Sequence, residues 1–285
     1  MTAEFDLKLA DGRTLHAYDT GGDGTPVFWH HGTPNIGAPP VPLMRPGVRW
    51  ISHDRPGYGS STPLPGRNIA SAATDVAAVA DELGLTRFAV MGHSGGGPHA
   101  LACAALLADR VTAVATISSL APLSANGLDW FAGMAPSSEA SLRAALKGRA
   151  AKEAHEAAEE EKGKEEESQK PDGDSAFTPA DEAMFAGPWS WLLDVVRPAL
   201  AAGPAALIDD DLAYVAPWGF DPAQVTAPLL LLHGDADRMI PSSHSKWLAA
   251  HLPGSELRIQ PGAGHISILT EAGEALDWLL QPRAS

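Results

Sequence analysis

The residues of this chain most able to do chemistry lie in Gly92-His93-Ser94-Gly95-Gly96. The apolar run Phe88-Ala89-Val90-Met91 before it predicts a buried strand. The Ala- and Leu-rich stretch from Gly97 to Leu107 after it predicts a helix. A serine at a strand-to-helix turn presents its hydroxyl, and glycines on either side let the backbone approach closely. That is the setting of a nucleophile. The pattern Gly-x-Ser-x-Gly is weak by itself, so the strand–turn–helix context carries the reading.

A serine hydroxyl is a poor nucleophile at neutral pH. It needs a base, a carboxylate to orient that base, and donors for the oxyanion that forms. In open α/β sheets these groups sit on loops at the carboxyl ends of strands. The base candidate is His265, in the glycine-rich loop Pro261-Gly262-Ala263-Gly264-His265 behind the last predicted strand. Among the 11 histidines, His244 and His251 fall on the preceding helix and His233 still in its strand. The acid candidates are Asp235 and Asp237, in His233-Gly234-Asp235-Ala236-Asp237-Arg238, and position alone leaves both open. The oxyanion donors are backbone N–H groups: Gly95 beside the serine, and Thr33 in His31-Gly32-Thr33-Pro34. The pair His30-His31 has no carboxylate or cysteine at ligand spacing, so no metal is expected, and no cofactor motif is present.

The elements that must position these groups alternate. Phe5–Leu9 and Thr14–Tyr18 around Asp11-Gly12 predict a hairpin. Pro26–His30, Val48–Ser52, Phe88–Met91 and Val111–Ile117 predict buried strands. Ile69, Ala73, Val76, Ala80 and Leu83 share one helical face, with Asn68 as N-cap and Gly84 as C-cap. From about Leu120 to Pro217 no strand is predicted; helical segments, prolines and Trp130, Trp189 and Trp191 take over. Those tryptophans either line a pocket or form the segment's own packing core. Alternation resumes with Leu229–His233, Ser242–His251, Glu256–Ile259 and Glu271–Leu280. A mostly parallel sheet covered on both faces follows, interrupted by a helical insertion. Within the insertion, Ala150–Gln169 holds eight Glu and three Lys between Lys152 and Glu167, which reads as a solvated helix.

The 285 residues, 45% hydrophobic, suffice for one α/β domain with an inserted subdomain. The net charge of −15, from 35 acidic and 20 basic residues, argues against nucleic acid and anionic membranes as partners. The single cysteine, Cys103, allows no intrachain disulfide and reads as a small core residue. The acidic N-terminus lacks a signal-peptide pattern, and no apolar run approaches the ~18 residues of a membrane span, so a cytoplasmic location is expected.

Together His31-Gly32-Thr33-Pro34, Asp54-Arg55-Pro56-Gly57-Tyr58-Gly59-Ser60, Gly92-His93-Ser94-Gly95-Gly96, Gly234-Asp235-Ala236-Asp237 and Gly264-His265 make the chain resemble the α/β-hydrolase fold family, in its capped, serine-esterase-like form. The resemblance implies an eight-stranded, mostly parallel sheet with helices on both faces. It implies a core at 1–119 and 218–285 and a helical cap at 120–217. It implies a Ser94–Asp237–His265 triad, since the family's acid usually stands three residues after the loop glycine, and a structural role for Asp54–Ser60. The expected activity is hydrolysis of small-molecule carboxylic esters. The alternatives are amide or peptide hydrolysis of the proline-iminopeptidase kind, with Glu159–Glu161 gripping a substrate amine, and a non-catalytic ligand-binding role. Epoxide hydrolases and haloalkane dehalogenases of this fold use an aspartate where Ser94 stands. The chain departs from the family between Asn35 and Gly47, where four prolines shorten the usual helix to a turn or two, which predicts a looser oxyanion loop.

Overall fold

A computed structural model describes residues 2–165, 175–252 and 254–281. Among them eight strands run β1 (Ala3–Lys8), β2 (Thr14–Asp19), β3 (Thr25–His30), β4 (Val48–His53), β5 (Phe88–His93), β6 (Val111–Ile117), β7 (Leu229–Gly234) and β8 (Ser255–Gln260). They form one sheet in the order β1-β2-β4-β3-β5-β6-β7-β8. The β1–β2 and β2–β4 pairs are antiparallel; every later pair is parallel. The order reverses at β3, which has β4 on one side and β5 on the other. At such a switch point the loops leaving two neighbouring strands part in opposite directions and open a crevice. Thr33 lies in the loop after β3, and Ser94 directly follows β5.

The helices, in chain order, are α1 (Ser71–Glu82), α2 (Gly96–Leu106), α3 (Pro136–Leu146), α4 (Arg149–Glu165), α5 (Pro179–Phe185), α6 (Trp191–Leu200), α7 (Ala205–Val215), α8 (Ser243–His251) and α9 (Ala272–Leu279). Successive strand residues face opposite sides of a sheet. Phe28, Val90 and Leu231 accordingly pack with residues of α1, α2 and α8, while Val27, Met91 and Leu230 pack with residues of α9. Cys103 is buried in the first of these cores. The shortening after β3 is complete: only a 3-10 turn, Val41–Leu43, remains. It delivers Leu43 to the α9 side, where Trp29 and Trp50 meet edge to face at 6.3 Å. At the end of α1, Gly84 takes φ +65°, the Leu85 N–H bonds Ala80 O at 2.8 Å and the Gly84 N–H bonds Asp81 O at 3.1 Å, a Schellman ending.

The described residues between β6 and β7 contain α3 to α7 and no strand. Their acidic helix α4 is exposed along most of its described length, as expected of a solvated helix, except in its first turn. Lys152 is fully buried and pairs with Glu156 at 2.5 Å and with Asp211 of α7 at 2.6 Å, and Arg149 pairs with Asp209. Glu166, Glu167 and the end of that charged segment lie outside the described residues. Trp130, Trp189 and Trp191 are buried in the packing cores. No single helix among the described residues is long and apolar enough to cross a membrane; α6 and α7 pass that test only as a pair bent by 100°.

The interior also holds histidines kept neutral by burial. His53 and His244 are pushed down to about 4, and His93 and His99 to about 3; His30 and His31 are likewise depressed. Once unfolded, each titrates near 6.5, so below that pH the unfolded chain takes up protons the fold refuses. Each such histidine therefore removes up to about 1.4 kcal/mol of stability per pH unit on acidification below 6.5. His53 and His244 stop contributing near pH 4. Asp54 and Asp211, whose pKa values burial raises, act in the opposite direction but are outnumbered. The urea midpoint is expected to be flat above pH 7 and to fall steeply between pH 6.5 and 4; a midpoint unchanged across that window would contradict the neutral-histidine core.

Candidate active site

Ser94 has φ +55°, a left-handed backbone that costs a non-glycine residue roughly 1–2 kcal/mol. The turn is held by Ser94 N–H donating to Ile117 O at 2.8 Å and Gly97 N–H donating to Ser94 O at 2.9 Å. A side chain at Gly92 would strike the Gly96 carbonyl, and one at Gly96 the carbonyl of His30. The glycines are thus set by the close passage of the elbow against β3. The first turn of α2 starts here, so its N-terminal dipole points at the serine.

His265 Nε2 lies 2.9 Å from Ser94 Oγ, and its Nδ1 lies 2.7 Å from Asp237 Oδ2. With a carboxylate facing Nδ1 the ring proton sits there, leaving Nε2 to accept the serine hydroxyl. All three side chains are buried. Asp237 Oδ1 accepts the N–H groups of Met239 and Ile240, both at 2.9 Å. His233 Nε2 donates to Ile240 O at 2.7 Å and stands 3.3 Å from Asp237 Oδ2. Burial alone would raise the Asp237 pKa; His265 and His233 outweigh it and hold the carboxyl well below the usual range. Asp235 is exposed and accepts the Gly262 N–H at 2.7 Å instead. Of the two candidate acids, Asp237 is the one brought to the histidine. His93, the residue before the serine, donates from Nε2 to His265 O at 3.1 Å.

Thr33 and Gly95 flank Ser94, and among the described residues neither backbone N–H donates to another protein group. The loop carrying Thr33 is not loose. Arg55 donates to Gly32 O at 3.0 Å, to Thr33 Oγ1 at 2.9 Å and to His31 O. His31 Nδ1 bonds Gly32 O at 2.8 Å, and its Nε2 accepts the Arg55 N–H at 3.1 Å, so His31 braces the loop. Arg55 is itself held by Asp210 of α7, through 2.6 and 3.1 Å contacts. Asp210 also accepts from Arg67 at 2.7 Å, Tyr58 Oη at 2.9 Å and Thr33 Oγ1 at 2.6 Å. Burial would raise its pKa; the two guanidinium groups hold it well below the usual range instead. The missing helix after β3 is therefore replaced by an ion-pair clamp.

The histidine loop is pinned in the same way. Asp181, at the start of α5, caps its own helix through Thr178. Its Oδ1 also accepts the Ile266 N–H at 2.8 Å, the Ser267 N–H at 2.6 Å and Ser267 Oγ at 2.8 Å. A side chain at Gly264 would collide with this carboxylate. Neither Asp181 nor Asp210 is singled out by the sequence reading. Thr178-Pro179-Ala180-Asp181 reads as a helix cap, and only the run Asp209-Asp210-Asp211 inside an otherwise apolar helix signals a buried, paired charge.

Two cavities open at Ser94, of about 370 and 300 Å³. Phe177 and Phe185 line the first and Tyr214 the second; the three tryptophans line neither.

A family described as alpha/beta hydrolase fold matches residues 25–272. A bifunctional esterase/perhydrolase of Acinetobacter calcoaceticus is 37% identical over 120 residues, 40% of this chain and 44% of that protein. The match therefore spans less than half the length of that curated relative. Among solved structures, an enol-lactonase from Burkholderia xenovorans aligns with TM-score 0.70 at 20% identity, over 96% of this chain and 99% of that one. A thermophilic esterase from Thermogutta terrifontis aligns with TM-score 0.67 at 22% identity, over 97% and 98%. At such identity these two show the fold alone.

Asp210→Asn leaves two buried guanidinium groups facing a neutral amide and is expected to cost about 3–5 kcal/mol, read from the urea midpoint. Asp181→Asn, which removes acceptor capacity from the histidine loop, is expected to cost about 1–3 kcal/mol, against under about 0.5 kcal/mol for the exposed Asp235→Asn. Equal losses at 181 and 235 would count against the pinning role.

Proposed function

The chain belongs to the α/β-hydrolase fold family, and we propose that it is a serine hydrolase cleaving carboxylic esters of small molecules through an acyl-enzyme. The observation that carries this reading is the unbroken hydrogen-bond chain from Ser94 Oγ through His265 to Asp237. In this reading His265 takes the Ser94 proton as Oγ attacks the ester carbonyl carbon. Asp237 fixes the imidazole tautomer and stabilises the imidazolium. The Gly95 and Thr33 N–H groups receive the oxyanion, each donor being worth about 3 kcal/mol in the transition state. His265 then passes its proton to the departing alkoxide. Water, deprotonated by His265, cleaves the acyl-enzyme and releases the acid. A serine at this position favours acyl transfer over epoxide opening or dehalogenation, which in this fold proceed from a carboxylate nucleophile.

The helical segment 120–217 serves in this reading as a cap, since Asp211, Tyr214, Phe177 and Phe185 line the cavities above Ser94. The esterase/perhydrolase relative supports a second activity of the same acyl-enzyme. Hydrogen peroxide in place of water would attack the acyl carbon, releasing a peracid and free serine.

The test is hydrolysis of p-nitrophenyl esters from acetate to decanoate. The wild-type protein is expected to turn over and Ser94→Ala to lose at least about 10³-fold in rate with an unchanged urea midpoint. Wild-type rates in the variant, or no turnover by the folded wild type on any ester, would overturn the assignment.

A further inference from the structure

The two cavities that meet at Ser94 differ in chemistry. One is bordered by Phe177, Phe185, Leu192, Val196 and Ile266, with His265 in its wall. The other is the more polar of the two but mixed: Leu142, Leu207 and Ile240 border it together with Ser138, Glu156 and Asp211, with Gly95 in its wall. Thr33, Ser94 and Met239 border both. In the polar arm, Glu156 and Asp211 share the single ammonium of Lys152. With Glu159, also on this wall, paired to Lys162 and with His155 beside it, the two carboxylates on Lys152 leave an excess of one carboxylate along this side. Such a wall favours a group that donates hydrogen bonds and disfavours an anion.

The geometry also orients the ester. A tetrahedral adduct on Ser94 carries Oγ, the oxyanion, the acyl carbon and the leaving oxygen. The leaving oxygen must meet His265 Nε2 to receive its proton, and His265 borders only the apolar arm. Gly95, the oxyanion donor, borders only the polar arm. With the oxyanion on Thr33 and Gly95 and the leaving oxygen on His265, the alcohol points into the apolar arm and the acyl chain into the polar one.

We infer that the preferred substrates join an apolar alcohol to a short acyl group bearing a hydroxyl or amine, a hydroxyacyl or aminoacyl ester. This rests on Ser94 being the nucleophile. The reaction forms the Oγ–C bond, breaks the bond from acyl carbon to alcohol oxygen, and moves the Ser94 proton through His265 to the alcohol; water then returns the acid.

Benzyl 3-hydroxybutanoate and benzyl 3-aminobutanoate are to be compared with benzyl 3-methylbutanoate, their near-isostere, and with the reversed ester 2-hydroxyethyl 3-phenylpropanoate. The hydroxyl or the amine ester is expected to exceed both comparators in kcat/KM by about tenfold or more; which of the two leads identifies the donor. Equal or better turnover of the methyl or reversed ester overturns the inference. Ser138→Leu, at a half-buried position on the polar arm, is expected to bring the ratio near one; a retained preference also overturns it. Ser94-dependent hydrolysis of p-nitrophenyl acetate is measured alongside. Its absence removes the esterase reading itself, whereas its presence without the preference removes only this inference.

Discussion

The carboxylate of Asp210 is fully buried, and a charge in that position is tolerable only if every lone pair is matched. Arg55, Arg67, Tyr58 and Thr33 match them. The consequence reaches well beyond one ion pair. Arg55 belongs to the loop after β4, Thr33 to the loop after β3, and Asp210 to α7, so three segments distant in sequence share one charge centre. Breaking it would leave guanidinium groups in a dry interior and free the loop that carries the Thr33 N–H. The geometry around Ser94 on that side is a by-product of an electrostatic requirement.

Asp181 repeats the arrangement on the other side with hydrogen bonds in place of an ion pair. Its carboxylate gathers backbone donors from the residues just after His265, while His93 holds the carbonyl of His265 itself. The histidine is therefore fixed through its main chain, and Asp237 then needs only to set the ring. Asp237 in turn is fed by two backbone N–H groups and watched by His233. Rigid supports of this kind matter because a hydrogen-bond chain of three side chains tolerates little misplacement.

Much of this was readable in the residues. The alternation of strands and helices, the strand leading to Ser94 and the reach of the parallel sheet follow from local apolar patterns, because buried parallel strands are short continuous apolar runs. The loops bearing Thr33, Asp237 and His265 follow from their glycines and strand ends. The long-range partners did not follow, Asp181 as partner of the histidine loop among them. The proline-rich stretch after β3 predicted a looser loop, whereas the clamp by Arg55 and Asp210 depends on a residue more than 150 positions away. The acidic helix α4 is solvated along most of its described length, but Lys152 in its first turn is buried against Asp211. Periodicity reports which face is apolar; it does not report that a charged residue has found a buried partner on another helix.

The placement of Asp181 and Asp210 on helices between β6 and β7 bears on how such a protein can be recombined. On a topological drawing these helices form a block that leaves the sheet after β6 and returns before β7. Yet the loops carrying Thr33 and His265 lean on carboxylates that this block supplies. A chimaera that swapped the helices between β6 and β7 for those of another member would import new cavity walls and at the same time withdraw the counter-charge of Arg55 and Arg67. The unit of exchange is therefore larger than the helical block: it comprises that block together with the arginines and the glycine-bounded histidine loop that answer to it.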